Sequence, residues 1–325
     1  MILLLCYLNF CEGERNGSNM ILVKNKRNIT NLSKYKYLFL LLTPAIVLTI
    51  LFRYVPMYGI IIAFKDYKLV KGIFGSDWVG FKNFTKIFSS PSFFEVMGNT
   101  LIISLYRLIF GFPAPIILAL LLNEVINVRF KKVVQTISYL PHFMSWVVIG
   151  GILREILSPQ RGVVNYIIQL FNGNEIYFLA DSNWFRTVLI VSGIWKGVGW
   201  GSVIYLASIS SIDNQMYEAA RIDGANRFKQ AVHITIPMMY PIIAVFLILD
   251  IGSILNAGFD QIFNLYSPMV YNVSDIIDTY IYRRGLIEND YGIATAVGLF
   301  KNVIGFGLVI GTNIITKRIS DYGVW

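Results

Sequence analysis

Hydrophobic and polar positions fall into long blocks along this chain, not into short repeats. Six predominantly apolar stretches stand out, at residues 37–52 with a continuation to 64, 100–122, 133–153, 187–209, 238–256 and 293–315. About twenty apolar residues are what a helix needs to cross a bilayer core. Backbone polar groups in lipid must be satisfied within their own segment, so these stretches predict helices. The expectation is an all-α integral membrane protein with six transmembrane helices. Its organisation reads as an N-terminal segment 1–36, a membrane body 37–315 and a tail 316–325. The longest polar gaps, 65–98, 154–186 and 257–292, hold short surface helices at most and are too small for a separate core. In the first gap, Pro91, Phe93 and Phe94 suggest an interfacial helix leading into the second span.

Composition supports this reading. Of 325 residues, 55% are hydrophobic and 14% charged, against roughly 25% charged in a soluble domain. The net charge of +9 sits mainly beside the apolar runs, where it acts as a topology signal and calls for no nucleic-acid partner. Residues 24 to 36 carry Lys24, Lys26, Arg27, Lys34 and Lys36 without an acid, and the chain closes with Lys317 and Arg318. Both termini are therefore expected in the cytoplasm, together with Arg129, Lys131 and Lys132 after the second span. The first outer loop breaks the rule, since Lys65, Lys68, Lys71, Lys82 and Lys86 outnumber Asp66, Asp77 and Glu95. Residues 1–19 are apolar at first but lack a basic start and a small-residue cleavage site, which argues against a signal peptide. Met20 is the expected translation start, with an amphipathic anchor as the alternative. Both cysteines, Cys6 and Cys11, lie in that stretch, leaving the membrane body without thiol chemistry.

A polar island interrupts the apolar blocks between the fourth and fifth spans. Residues 217–241 read YEAARIDGANRFKQAVHITIPMMYP. Ala219 and Ala220 favour helix, and Glu218 lies near the helix start, where the macrodipole favours an acid. Gly224 breaks that helix, residues 225–234 form a second short one, and Pro237 marks the return to apolar sequence. The spacing of Glu218, Ala219, Ala220, Asp223, Gly224, Ala225, Ile234, Ile236 and Pro237 resembles the EAA loop of permease subunits of ATP-binding-cassette importers. Ile236 stands where leucine is usual, and Ala231 where sugar permeases often carry an aromatic. The stretches 254–286 and 291–325 are similar to permeases of the oligosaccharide and polysaccharide branch, the lipoprotein or alginate type.

The resemblance implies a type I importer: two permeases of similar fold, two copies of a cytoplasmic ATPase and an extracytoplasmic solute-binding protein, in a bacterial inner membrane. It implies that the loop 212–237 docks the ATPase, with Glu218 as an ionic latch, Ala219 and Ala220 allowing close packing, Gly224 turning the chain, and Arg221 and Asp223 as further contacts beside Ala225. ATP and magnesium would sit on the partner, because no GxxxxGK[ST] phosphate loop exists here and no cofactor or metal is expected in this chain.

Charged groups inside spans are costly and usually face a wet interior. Arg107, Lys196, Asp250 and Lys301 are such groups, and Trp200 and Asn256 lie near them; these six are the candidates for an oligosaccharide path. Trp200 follows a glycine-rich bend at 197–201 that permits close approach. Snorkelling bases, an Asp250 ion pair and interfacial tryptophans are the competing readings. Three bases against one acid point to an acidic sugar, while an uncharged oligosaccharide remains the plainer expectation from the branch. A membrane-embedded glycosyl or acyl transferase is the main alternative, but His142 and His233 lie far apart and no ligand cluster accompanies them. His142 reads as satisfying a backbone group. Asp275 and Asp278 read as loop-helix charges or a docking contact for the binding protein. A secondary transporter would leave the EAA loop without a purpose.

Overall fold

The computed structural model describes residues 36–320, and they divide into two units at Met57 and Tyr58. In the first, helix α1 (Lys36–Thr49) runs into a π turn, Ile50–Tyr54. A 3-10 stretch, Val55–Phe64, carries the chain into the second unit, which holds the remaining elements.

That unit begins with a small antiparallel hairpin, β1 (Lys65–Asp66) and β2 (Asp77–Trp78), with Lys65 opposite Trp78. Helix α2 (Lys82–Phe88) follows, then α3 (Pro91–Tyr106), opened by a proline where a missing N–H is harmless. A π turn, Arg107–Gly111, joins α3 to α4 (Pro113–Glu124). The expected interfacial helix at Pro91 is thus the first part of the second span, which runs from Pro91 to Glu124, and Phe93 is buried in the core.

The third span departs most from expectation. Residues 133–153 do not form one helix: α5 (Val128–Tyr139) continues through a 3-10 turn, Leu140–Phe143, and the chain then bends by 107° into α6 (Trp146–Ile156). Pro141 cannot donate to the preceding turn, Met144 and Ser145 are extended, and the Ser145 hydroxyl restarts the helix by accepting from Val148 N at 3.3 Å. Among the described residues five helices are long and apolar enough to cross a membrane, or six if the bent pair counts as one span.

After α7 (Val163–Leu170), the 29-residue α8 (Ser182–Ser210) crosses the middle of the unit. It runs unbroken through residues 197–201, so the expected glycine-rich bend is absent; the close approach is real. A Cβ on Gly199 would overlap the Ser138 carbonyl of α5, and one on Gly201 would come within 3.0 Å of Pro115 on α4. Next come α9 (Asn214–Ile222), the single turn α10 (Arg227–Gln230), a π turn Ala231–Thr235, and α11 (Ile236–Gly252). The expected separate helix at 225–234 is the start of the fifth span, Arg227–Gly252. Helices α12 (Phe259–Leu265), α13 (Ile277–Tyr282) and α14 (Tyr291–Ser320) complete the unit.

Three apolar clusters hold these helices. Phe93, Val96, Ile277, Tyr280 and Val297 join α3, α13 and α14. Ile103, Phe185, Leu189 and Ile262 join α3, α8 and α12, and Ala119, Tyr205, Ile209 and Met239 join α4, α8 and α11. Polar ties reinforce them: Arg186 of α8 donates to Asn99 Oδ1 at 2.8 Å and to the Val273 carbonyl at 3.1 Å.

The glycines of α8 give a direct test of this packing. Gly199→Ala should lower the melting temperature of the purified protein, because overpacking costs about 1–3 kcal/mol. Gly197→Ala, whose added Cβ meets nothing within 4 Å, should be silent; equal melting temperatures for both variants would contradict the close helix crossing.

Candidate functional site

Two features have the makings of a site: an exposed polar loop between α8 and α11, and a cavity between the spans. In the loop, Asp213 caps α9 by accepting from Gln215 N at 2.9 Å. Helix α9 ends in a Schellman arrangement, with Ala225 N donating to Ala220 O at 2.8 Å and Gly224 N to Arg221 O at 3.1 Å. Gly224 has φ of 77°, the left-handed conformation that favours glycine. Asn226 then caps α10 through Lys229 N, and the buried Gln230 side chain donates to Ala225 O at 2.8 Å. The loop is a rigid helix, turn and helix.

Its base is tied to the membrane body. Arg227 pairs with Glu124 at the end of α4 at 3.1 Å, and the Tyr217 hydroxyl lies 3.0 Å from that of Thr235. Neither tie was legible in the sequence, since Arg227 and Glu124 are 103 residues apart. The outward side is left open. Glu218, Ala219, Arg221 and Asp223 are exposed, while Ala220 and Ala225 are half-buried. Ile222 and Phe228 are 87% and 75% exposed, an unusual pair of apolar side chains on a polar loop. Such exposure marks a surface that a partner covers.

The cavity, of about 620 Å³, is lined by α8, the second span, α11 and the loop into α12. It brings together four of the six candidate path residues: Arg107, Lys196, Asp250 and Asn256. Arg107 opens the π turn of the second span and donates to Gln261 Oε1; Gln261 Nε2 donates in turn to Leu189 O at 2.7 Å and Ser192 Oγ at 2.8 Å. Gly258, with φ of 87°, makes room, because a Cβ there would overlap the Arg107 guanidinium. Gln261 is therefore the buried hub that joins three elements. Its place in a polar stretch after the fifth span gave no signal of that role.

Lys196 has a different task from the one its position suggested. Its ammonium donates to the carbonyls of Pro141 at 3.2 Å, His142 at 2.9 Å and Met144, and it lies 5.5 Å from the centre of the Trp146 ring. All three carbonyls lie where the third span breaks, and Pro141 O also accepts from Met144 N at 3.2 Å, so the lysine pins the bend. Asp250 and Asn256 line the cavity with exposed side chains, and among the described residues the ion pair that was the competing reading for Asp250 is not formed. Asn256, the expected last residue of the fifth span, instead lies in the loop beyond α11, which ends at Gly252.

The remaining two candidates are elsewhere. Trp200 is outside the lining and stacks on His142, with centroids 4.8 Å apart and planes at 9°. Lys301 pairs with Asp278 at 2.5 Å, away from the cavity. Asp275 pairs with Arg283 at 2.5 Å and accepts from Thr279 at 2.7 Å. The hydrogen bond that Arg283 donates to Asp275 holds its guanidinium above its ordinary pKa, against the opposing effect of burial. Both aspartates are thus committed inside the chain and are not free docking charges. Among the described residues no group of three His, Cys, Asp or Glu side chains forms a metal-sized cluster.

Comparison with known proteins fits this architecture. Residues 111–321 match the model of the family described as binding-protein-dependent transport system inner membrane component. The chain belongs to this family. The permease is 44% identical to Protein LplB of Bacillus subtilis (strain 168), over 90% of this chain and 92% of the relative. It is also 44% identical to the polygalacturonan/rhamnogalacturonan transport system permease protein YteP of the same organism, over 93% and 94%. Its structure resembles a chain in the crystal structure of a bacterial alginate ABC transporter in complex with an alginate pentasaccharide-bound periplasmic protein. The TM-score is 0.85 at 41% identity, covering 92% of this chain and all of that one. The permease is a transporter subunit of the inner membrane.

The hub predicts its own variant. Gln261→Leu leaves the Arg107 guanidinium without its acceptor, which should cost about 1–3 kcal/mol of stability; an unchanged melting temperature would count against the network.

Proposed function

We propose that this permease forms half of the path of an ATP-driven importer for an oligosaccharide, handed over by an extracytoplasmic solute-binding protein. Both termini and the loop 212–237 face the cytoplasm, a second permease of similar fold supplies the other half, and two copies of an ATPase hold ATP and magnesium. The observation that carries this reading is the loop: a capped, rigid helix α9, tied at its base and open on its outward side, where Glu218 has no partner among the described residues. Closure of the ATPase dimer pushes on α9, and α8, only three residues before it, delivers the movement to the pinned break and the cavity. The polygalacturonan, rhamnogalacturonan and alginate systems among its relatives support a polymer-derived sugar as cargo.

The charge count that pointed to an acidic cargo changes meaning in the folded chain. Lys301 is outside the cavity, Lys196 is occupied by carbonyls, and Arg107 is occupied by Gln261. Asp250 and Asp260 also line the cavity, so two bases face two acids. This half of the path is charge-balanced.

Two measurements on the reconstituted complex test the proposal. Glu218→Ala should lower sugar-stimulated ATP hydrolysis and uptake several-fold at equal expression; wild-type transport in that variant would sink the latch. Lys196→Met should reduce uptake of neutral and acidic oligosaccharides alike, because it loosens the break; a loss confined to acidic sugars would show that the lysine reads charge.

A further inference from the structure

The excess of lysines in the first polar gap is unexplained by transport. We infer that the hairpin β1–β2 and the start of α2 form a platform that seats on phospholipid headgroups at the membrane face where the first span ends. The platform is rigid. Lys65 Nζ donates to Ile73 O at 2.6 Å and Ser76 O at 3.3 Å, and the buried Ser76 hydroxyl donates to Gly72 O at 2.6 Å. Asn83, buried on α2, donates to Ala63 O at 2.9 Å and Lys65 O at 3.0 Å.

It is also fixed at one level. Ala63 belongs to the last turn before the hairpin, where the apolar run Phe39–Phe64 ends. At the other side, the Tyr67 ring meets Tyr291 edge-on at 5.6 Å, and a Cβ on Gly292 would come within 3.1 Å of Lys65 O. Tyr291 and Gly292 open α14, the last span. The platform therefore sits where two membrane helices emerge, at the height of the headgroups.

Its free surface has the composition of that layer. Val70 is 99% exposed, Phe74 85%, Phe81 72% and Trp78 64%, side chains that would stand in water without compensation. Of the five lysines, Lys65 is bound internally and Lys71 pairs with Asp77 at 3.5 Å. Lys68, Lys82 and Lys86 are exposed, and no acid pairs with them among the described residues. Aromatic rings with interspersed lysines are what an interface of apolar chains and anionic phosphates accommodates. Continuity with the spans and charge complementarity favour lipid over a protein partner, and they account for a loop that breaks the positive-inside pattern.

The test uses the assembled complex in vesicles. Because the only cysteines are Cys6 and Cys11, replacing both with serine and adding Val70→Cys gives one site for a nitroxide. Collision rates with oxygen and with a water-soluble nickel complex, read against spin-labelled lipids of known depth, locate it. The expected result is headgroup depth in vesicles containing phosphatidylglycerol, with nickel collisions rising several-fold when Lys68, Lys82 and Lys86 are changed to Gln. A label as open to nickel as one in free solution overturns the inference. So does protection that arises only when the solute-binding protein is added.

Discussion

A membrane helix can break only if the carbonyls it frees find a donor, because lipid offers none. In this permease that donor is Lys196 for the carbonyls of His142 and Met144, and its ammonium also reaches Pro141 O, which Met144 N serves as well. The 107° turn between α5 and α6 depends on it, and so does the shape of the cavity beside it. The lysine gains three acceptors and the face of Trp146, so its charge is stabilised where an isolated ammonium would be costly.

The pin also explains why α8 is the central element. Along one helix it carries Leu189 and Ser192, which receive Gln261, then Lys196, then Gly199 and Gly201, where α5 and α4 come close. Three residues separate its end from α9, the proposed coupling helix. Under the proposed coupling, a push on α9 passes through the short connection 211–213 into α8, which lines the cavity and carries the lysine at the break. The Arg227–Glu124 pair adds a second route, from the far side of the loop to the second span.

The spans were legible because apolar blocks of this length have one solution in lipid, and the loop was legible because a glycine between two polar helical stretches has few alternatives. Gly224 and Pro237 sit where their backbone chemistry required. The sequence reading failed where long-range partners decide the outcome. Nothing near Lys196 shows that its acceptors lie more than fifty residues earlier, and nothing near Lys301 shows that Asp278 claims it. Residues 133–153 are apolar enough for a straight helix; Pro141 hinted at the break, but only the lysine on another helix makes it affordable. Polarity inside spans picked out Arg107, Lys196, Asp250 and Asn256, which line the cavity, yet it could not separate side chains open to the cavity from those that hold the frame.

The central claim is that α9 is the seat of the ATPase. A photoreactive residue placed at Ile222, in the complex assembled with both permeases and the ATPase, tests it most directly. The account predicts a crosslink to the ATPase whose yield changes between the nucleotide-free and ATP-bound states. A crosslink only to lipid or to the permease itself, with the complex intact, would contradict it.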